Sequence, residues 1–203
     1  RVPAGHDQRV VLSMCGGALS MRTIYLDNNA TTPGAAEVAE AMWPWLTQSW
    51  GNPSSLHRLG SQAAEAVAQA RAQVARLLGV RAREIVFTSG GTESNLTALL
   101  AAARASRQRR RILTTAVEHS AVLEPLEALA REGFEVVRVG VAPSGALCTG
   151  ELCAQIDDSC ALVSVMWANN ETGVIHDVRS IGEVCRRQGV PFHVDGVQAA
   201  GKL

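Results

Sequence analysis

The sequence predicts an α/β protein built on a mainly parallel, doubly wound sheet. Three observations carry that prediction. Short strand-type runs alternate with helical stretches of ten or more residues. Several of the strand runs are continuously apolar, as in strands covered on both faces. Loops rich in Gly, Ser, Asn and Asp follow the strands just where a helix begins, the usual place for ligands in such sheets.

Taken in order, Ala35, Val38, Ala39, Met42 and Trp43 recur at helical spacing within Gly34–Leu46, after the start signal Thr31-Thr32-Pro33. A loop, SWGNPSS, leads to an alanine-rich helix from Leu59 to Leu78, closed by Gly79. EIVFT, Glu84 to Thr88, reads as a strand, and Ser89-Gly90-Gly91 opens a helix from Thr92 to Ala105. The alternation continues with strand ILTTAV, a helix from Ser120 to Arg131, strand FEVVRV and a short helix near Glu151 to Asp157. Strand ALVSVMW, a helix from Val178 to Gln188 and strand PFHVD from Pro191 complete it. These elements occupy residues 21–203, and residues 1–20 are expected to be an extension without fold value.

Composition narrows the function. With 203 residues, 47% of them hydrophobic, the chain is long enough for a full core. Nineteen basic residues balance nineteen acidic ones, so no general field attracts nucleic acid or anionic lipid. The single basic run, Arg107 to Arg111, reads as a solvated helix end. Five cysteines, odd in number and without paired CxxC spacing, argue for a reducing compartment and against a metal site. The apolar run Val10 to Met14 is shorter than the roughly seven to fifteen residues of a signal peptide core. No window reaches the roughly eighteen apolar residues of a membrane helix. A cytoplasmic protein that binds neither nucleic acid nor membrane is expected.

Four loops carry chemistry. Thr88-Ser89-Gly90-Gly91-Thr92-Glu93-Ser94 places a glycine pair between a strand and a helix start, where backbone amides and hydroxyls can cradle an anion; a plain helix cap is the alternative. His119 follows ILTTAV, and can serve a site or merely cap the next helix. Trp167 to Gly173 offers two amides, a carboxylate and a glycine turn after ALVSVMW. Asp195 leaves the strand PFHVD, with Gln198 three residues on. All four fall at carboxyl ends of predicted strands, so a doubly wound sheet would gather them in one crevice. A phosphate anchor, a flat imidazole, amide donors and a buried carboxylate are the parts of a pyridoxal phosphate site.

YLDNNATTP, GNPSSLHRLG, EIVFTSGGTESN, VEHSAV, NNETGV and HVDGVQAAGK occur in order between Tyr25 and Lys202. Together they closely resemble the NifS/IscS-like cysteine desulfurases, pyridoxal-phosphate enzymes of the class V aminotransferase group. The resemblance covers residues 24–203 and implies the large domain of a fold type I PLP-dependent transferase, incomplete at its C-terminus. It also implies that the cofactor is pyridoxal 5'-phosphate, with Gly91 and Thr92 holding its phosphate. His119 would stack on the pyridine ring and assist proton transfer, and Asp195 would pair with the pyridinium nitrogen. Asn170 and Gln198 would hydrogen-bond the phenolic oxygen. The implied reaction removes sulfur from L-cysteine, giving L-alanine and an enzyme persulfide for iron–sulfur cluster or thio-cofactor assembly. The implied partners are a second copy of the chain, as a homodimer, and a sulfur acceptor or iron–sulfur scaffold protein.

The resemblance also marks departures. The family's Schiff-base lysine lies downstream of the HVDGVQ strand, and its persulfide cysteine and substrate-binding arginine lie further on, so the 203 residues are expected to be an N-terminal fragment inactive alone. Lys202, the single lysine, matches the lysine of the family's GK pair instead. Two alternatives remain at this level: another class V enzyme, such as a selenocysteine lyase or an aminotransferase, and a truncated chain that only dimerises with or regulates a full-length copy.

Overall fold

The computed structural model describes residues 24–106 and 108–203. The expectation for residues 1–20 lies outside them. The chain divides into two compact units, residues 1–48 and 49–203.

The described part of the first unit holds one helix, α1 (Ala36–Thr47). It starts two residues later than the pattern predicts, after an extended Ala35 with no side-chain cap. The predicted apolar stripe exists, but among the described residues of this unit nothing covers it: no residue of α1 is buried, and Trp43 is 62% exposed.

The second unit opens with α2 (Arg58–Leu78). His57 caps its first turn by accepting the Gly60 N–H at Nδ1, 3.3 Å away. Gly79, at φ 66°, ends it as predicted, in a left-handed conformation that costs a glycine little. The loop before α2 packs directly on the helix backbone. A Cβ on Gly60 would lie 2.2 Å from the Ser55 carbonyl oxygen and 2.7 Å from that of Asn52.

One predicted strand is absent. Residues 82–84 form a single 3₁₀ turn, and 85–88 run extended without a ladder partner among the described residues. An extended backbone becomes a strand only when a neighbour takes its hydrogen bonds. Here the Ile85 carbonyl accepts from the Arg71 guanidinium instead, which also lies 4.9 Å from the centre of the Phe87 ring.

The remaining elements are α3 (Gly91–Ala105), β1 (Arg111–Thr115), α4 (Ser120–Arg131), β2 (Glu135–Val139), α5 (Thr149–Cys153), β3 (Cys160–Ser164), α6 (Val178–Gln188) and β4 (Phe192–His193). α4 and α6 match the predicted bounds. α5 lies slightly earlier and ends at Cys153, β3 stops at Ser164, and PFHVD shrinks to two paired residues, since pairing and not strand-like composition sets a strand's length.

The four strands are all parallel and lie in the order β2-β1-β3-β4. From β1 the chain moves outward to β2, then returns to the other side of β1, so the winding reverses between β1 and β3. Side-chain alternation divides the core accordingly. Ile112 and Leu162 point to a cluster with Leu99, Val122, Leu126 and Leu129, from α3 and α4. Leu113 and Val163 point to the opposite cluster with Leu152, Ile181 and Cys185, from α5 and α6. The sheet is thus covered on both faces, as the continuous apolar runs require.

The basic run is no simple solvated helix end. The Arg109 guanidinium donates to the Gly189 carbonyl at 2.9 Å, at the C-terminus of α6. Arg110 lies 4.8 Å from the centre of the Phe134 ring, and Arg111 donates to the Gln155 carbonyl at 3.0 Å. Among the described residues no helix is long and apolar enough to cross a membrane.

The Gly60 contact makes a direct prediction. Gly60→Ala forces a methyl group into two backbone carbonyls and should lower stability by about 2–3 kcal/mol, in the range of overpacking substitutions. Urea denaturation of the two chains measures it; an unchanged midpoint would show that the loop moves aside freely.

Candidate functional site

The winding reverses between β1 and β3, and beyond their carboxyl ends polar side chains bond from one loop to the other. Beyond β1, Glu118 is buried and reaches across to the other strand. Its Oε1 accepts from the Met166 N–H at 2.9 Å and from the Thr115 hydroxyl at 2.7 Å. Asn169, beyond β3, donates from Nδ2 to the Val117 carbonyl at 3.1 Å. Its Oδ1 accepts from the backbone N–H groups of Glu171 and Thr172 and so shapes the turn NNETG.

Beyond β4 stands Asp195, 8% exposed. The Trp167 N–H donates to the Asp195 carbonyl at 2.9 Å, bringing the ends of β3 and β4 together. The carboxylate has a donor at each oxygen: Val197 N–H at 3.0 Å on Oδ1 and Asn95 Nδ2 at 2.8 Å on Oδ2. Asn95 comes from the second turn of α3, the helix that the glycine pair opens. The amide oxygen of Asn95 in turn faces His193 Nε2 at 3.2 Å, and His193 Nδ1 lies 2.9 Å from the Ser164 hydroxyl. Burial holds the His193 imidazole below its ordinary pKa against the opposing pull of Asp195, so the ring is neutral at pH 7.

The glycine loop sits beside this network. Gly90 is extended and α3 begins at Gly91, so the first amides of the helix have no acceptor within it. A Cβ on Gly91 would lie 3.1 Å from Val197 Cγ2, which ties the helix start to the segment after Asp195. Thr88 and Ser94 join hydroxyls at 2.7 Å. Ser89 is not a free donor, as the sequence suggested: its N–H and hydroxyl both go to Glu93 Oε2, at 2.7 and 2.6 Å. Ionised Glu93 is favoured by those bonds, its carboxyl lying below the usual range.

The other sequence-nominated residues fall at the same end of the sheet with partners of their own. His119 caps α4, accepting the Ala121 N–H at Nδ1, 3.1 Å away, with its ring exposed. Asn170 Nδ2 donates to Glu171 Oε1 at 2.9 Å. Gln198 Oε1 accepts from Lys202 Nζ at 2.7 Å. The thiols of Cys153, Cys160 and Cys185 lie on the α5 and α6 side of the core, where burial pushes them up, Cys185 to about 11, and makes them poor nucleophiles.

Sequence reasoning missed Asn95 and Glu118 as members of this site. Asparagine is a weak helix former, so Asn95 inside an Ala- and Leu-rich helix signalled a side chain with a buried task. Glu118 directly follows a buried strand, a poor place for a charge without donors.

Glu118 has an incomplete set of donors. Its Oε2 is buried without a hydrogen-bond partner among the described residues. Burial, first, and the nearby Asp195 charge raise its pKa from 4.5 to about 7, against the two bonds at Oε1. The native state therefore binds more protons than the unfolded chain between these values, and stability falls as pH rises from about 4.5 through 7. Glu118→Gln keeps the acceptor and removes the charge. It should leave stability near pH 4 almost unchanged and gain up to about 3 kcal/mol at pH 8. Urea melts at the two pH values test this; parallel pH profiles for both chains would show that Glu118 carries no such cost.

The aminotransferase class-V family matches residues 24–203. The chain is 49% identical over 183 residues to cysteine desulfurase 2 of Trichormus variabilis, covering 90% of this chain and 46% of that protein. It is 48% identical over 182 residues to cysteine desulfurase IscS of Neisseria meningitidis, covering 89% and 45%. Among solved structures, a NifS-like protein superposes with TM-score 0.85 at 39% identity, over 89% of this chain and 50% of that one. DndA from Streptomyces lividans superposes with TM-score 0.79 at 41% identity, over 89% and 51%. The chain spans about half the length of the curated relatives it matches.

The residues present fit pyridoxal phosphate. A carboxylate 8% exposed, with neutral donors at its oxygens, suits a cationic ring nitrogen, and the open start of α3 at Gly91, where a Cβ would crowd Val197, suits a phosphate. Sheet topology, site geometry and sequence similarity converge: the chain belongs to the class V aminotransferase family and has the α/β fold of the NifS-like proteins.

Proposed function

We propose that the protein is a pyridoxal-phosphate-dependent cysteine desulfurase, taking L-cysteine to L-alanine and a persulfide that feeds iron–sulfur cluster or thio-cofactor assembly. The observation that carries this reading is Asp195, a buried carboxylate beyond the parallel sheet with a donor on each oxygen. The names of the similar proteins, and a structure of SspA in complex with cysteine at 34% identity and TM-score 0.79 over 85% of this chain and 50% of that one, support the substrate.

Bound pyridoxal phosphate supplies an electron-withdrawing ring that weakens bonds around the substrate's Cα. The chain's own residues position that chemistry. The Asp195 carboxylate keeps a proton at the ring nitrogen. Gly91 and Thr92, at the open start of α3, hold the phosphate with backbone N–H groups and the Thr92 hydroxyl. The exposed His119 would stack on the ring, where its imidazole would move a proton. Asn170 and Gln198 donate their amides to the phenolic oxygen. Residues 21–203 form the N-terminal part of a PLP-binding domain, the working form is a cytoplasmic homodimer, and a sulfur acceptor or scaffold protein takes the persulfide.

Asp195→Asn tests the carrying observation, since it keeps shape and removes charge. Affinity for pyridoxal phosphate should fall about tenfold or more, the worth of a charge-assisted hydrogen bond, as measured by the cofactor's absorbance and by quenching of tryptophan fluorescence. The protein as expressed from its own gene should release alanine and, with a thiol reductant, sulfide from L-cysteine. Cofactor binding unaffected by the substitution, or turnover of another amino acid with no sulfide from cysteine, would overturn the reading.

A further inference from the structure

We propose that Asn95 is a positioning residue of the cofactor site, the last member of a one-way hydrogen-bond relay from Ser164 through His193 that aims the Asp195 carboxylate. The inference rests on the pyridoxal phosphate reading above and deepens it.

The direction of the relay follows from what each atom can do. Asn95 Oδ1 only accepts, so the His193 Nε2 that faces it at 3.2 Å carries the proton. The neutral ring then accepts at Nδ1, and the Ser164 hydroxyl donates to it at 2.9 Å. With its oxygen committed to His193, the Asn95 amide turns its N–H toward Asp195 Oδ2, at 2.8 Å. Each link thus donates toward the carboxylate, and successive bonds of one sense polarise one another. The relay is sheltered: Ser164 is fully buried, and Asn95 is 5% exposed. Its members come from three places in the chain, β3, β4 and the second turn of α3, and the same α3 begins at the glycine pair. One helix therefore carries both the anion cradle and a donor to the carboxylate, and would set the spacing between the groups that hold the two ends of the ligand.

Two probes separate positioning from bulk stability. One is pyridoxal 5'-phosphate; the other is its carbocyclic analogue, in which CH replaces the ring nitrogen and the phosphate is kept. The unsubstituted protein should prefer the first. Asn95→Leu, similar in volume and without a donor, should weaken pyridoxal phosphate binding by about tenfold or more while leaving the analogue unchanged, so that the preference disappears. Ser164→Ala, two links away from the carboxylate, should reduce the preference in the same sense by a smaller factor, and serves if Asn95→Leu does not fold. A merely structural role would weaken both probes equally, and that result, or a preserved preference in either folded variant, overturns the proposal alone. Failure of the unsubstituted protein to bind either probe overturns the cofactor reading and this proposal with it.

Discussion

A carboxylate taken more than nine-tenths out of water must be given donors, and in this protein meeting that demand organises the site around Asp195. One donor is local, the Val197 N–H of the turn that follows. The other, Asn95, comes from a residue 100 positions away and brings a helix with it. Because α3 is the helix opened by the glycine loop, satisfying the carboxylate also sets where the helix start lies. The Gly91 and Val197 contact is the packing counterpart of the same arrangement.

That convergence depends on the sheet. Parallel strands deliver all their carboxyl ends to one side, and the reversal of winding between β1 and β3 sends the flanking helices to opposite faces. The loops after β1 and β3 lead away to those faces, and Glu118 and Asn169 tie them together with hydrogen bonds to the opposite loop's backbone. The apolar residues of both faces, Ile112 with Leu162 and Leu113 with Val163, hold the strands in register so that these bonds are made at fixed distances.

Glu118 and Asp195, two acids beyond the same end of the sheet, differ in how their oxygens are hydrogen-bonded. Asp195 has a donor on each oxygen. Glu118 has both donors on one oxygen and none on the other, and its pKa is pushed to about 7 by burial and by its neighbour's charge. A carboxyl group that readily holds a proton near neutral pH is thereby placed beside the carboxylate of the site, with folding stability bearing the cost.

The sequence by itself determined what depends on near neighbours. The bounds of α4 and α6, the stop at Gly79, the two-faced core and the placing of His119, Asn170, Asp195 and Gln198 after parallel strands all follow from periodicity, caps and alternation. Tertiary structure decided whatever needs a distant partner. EIVFT has strand composition, yet its backbone finds no ladder, and Arg71 takes the Ile85 carbonyl. The arginine run reads as solvated until Gly189, Phe134 and Gln155 arrive beside it. Asn95 and Glu118 show little in a linear pattern because their roles lie in bonds across 100 and 48 positions. Local propensity acts over a turn or two of chain, whereas hydrogen-bond partners and burial are set by folding, and these convert a list of polar residues into a site.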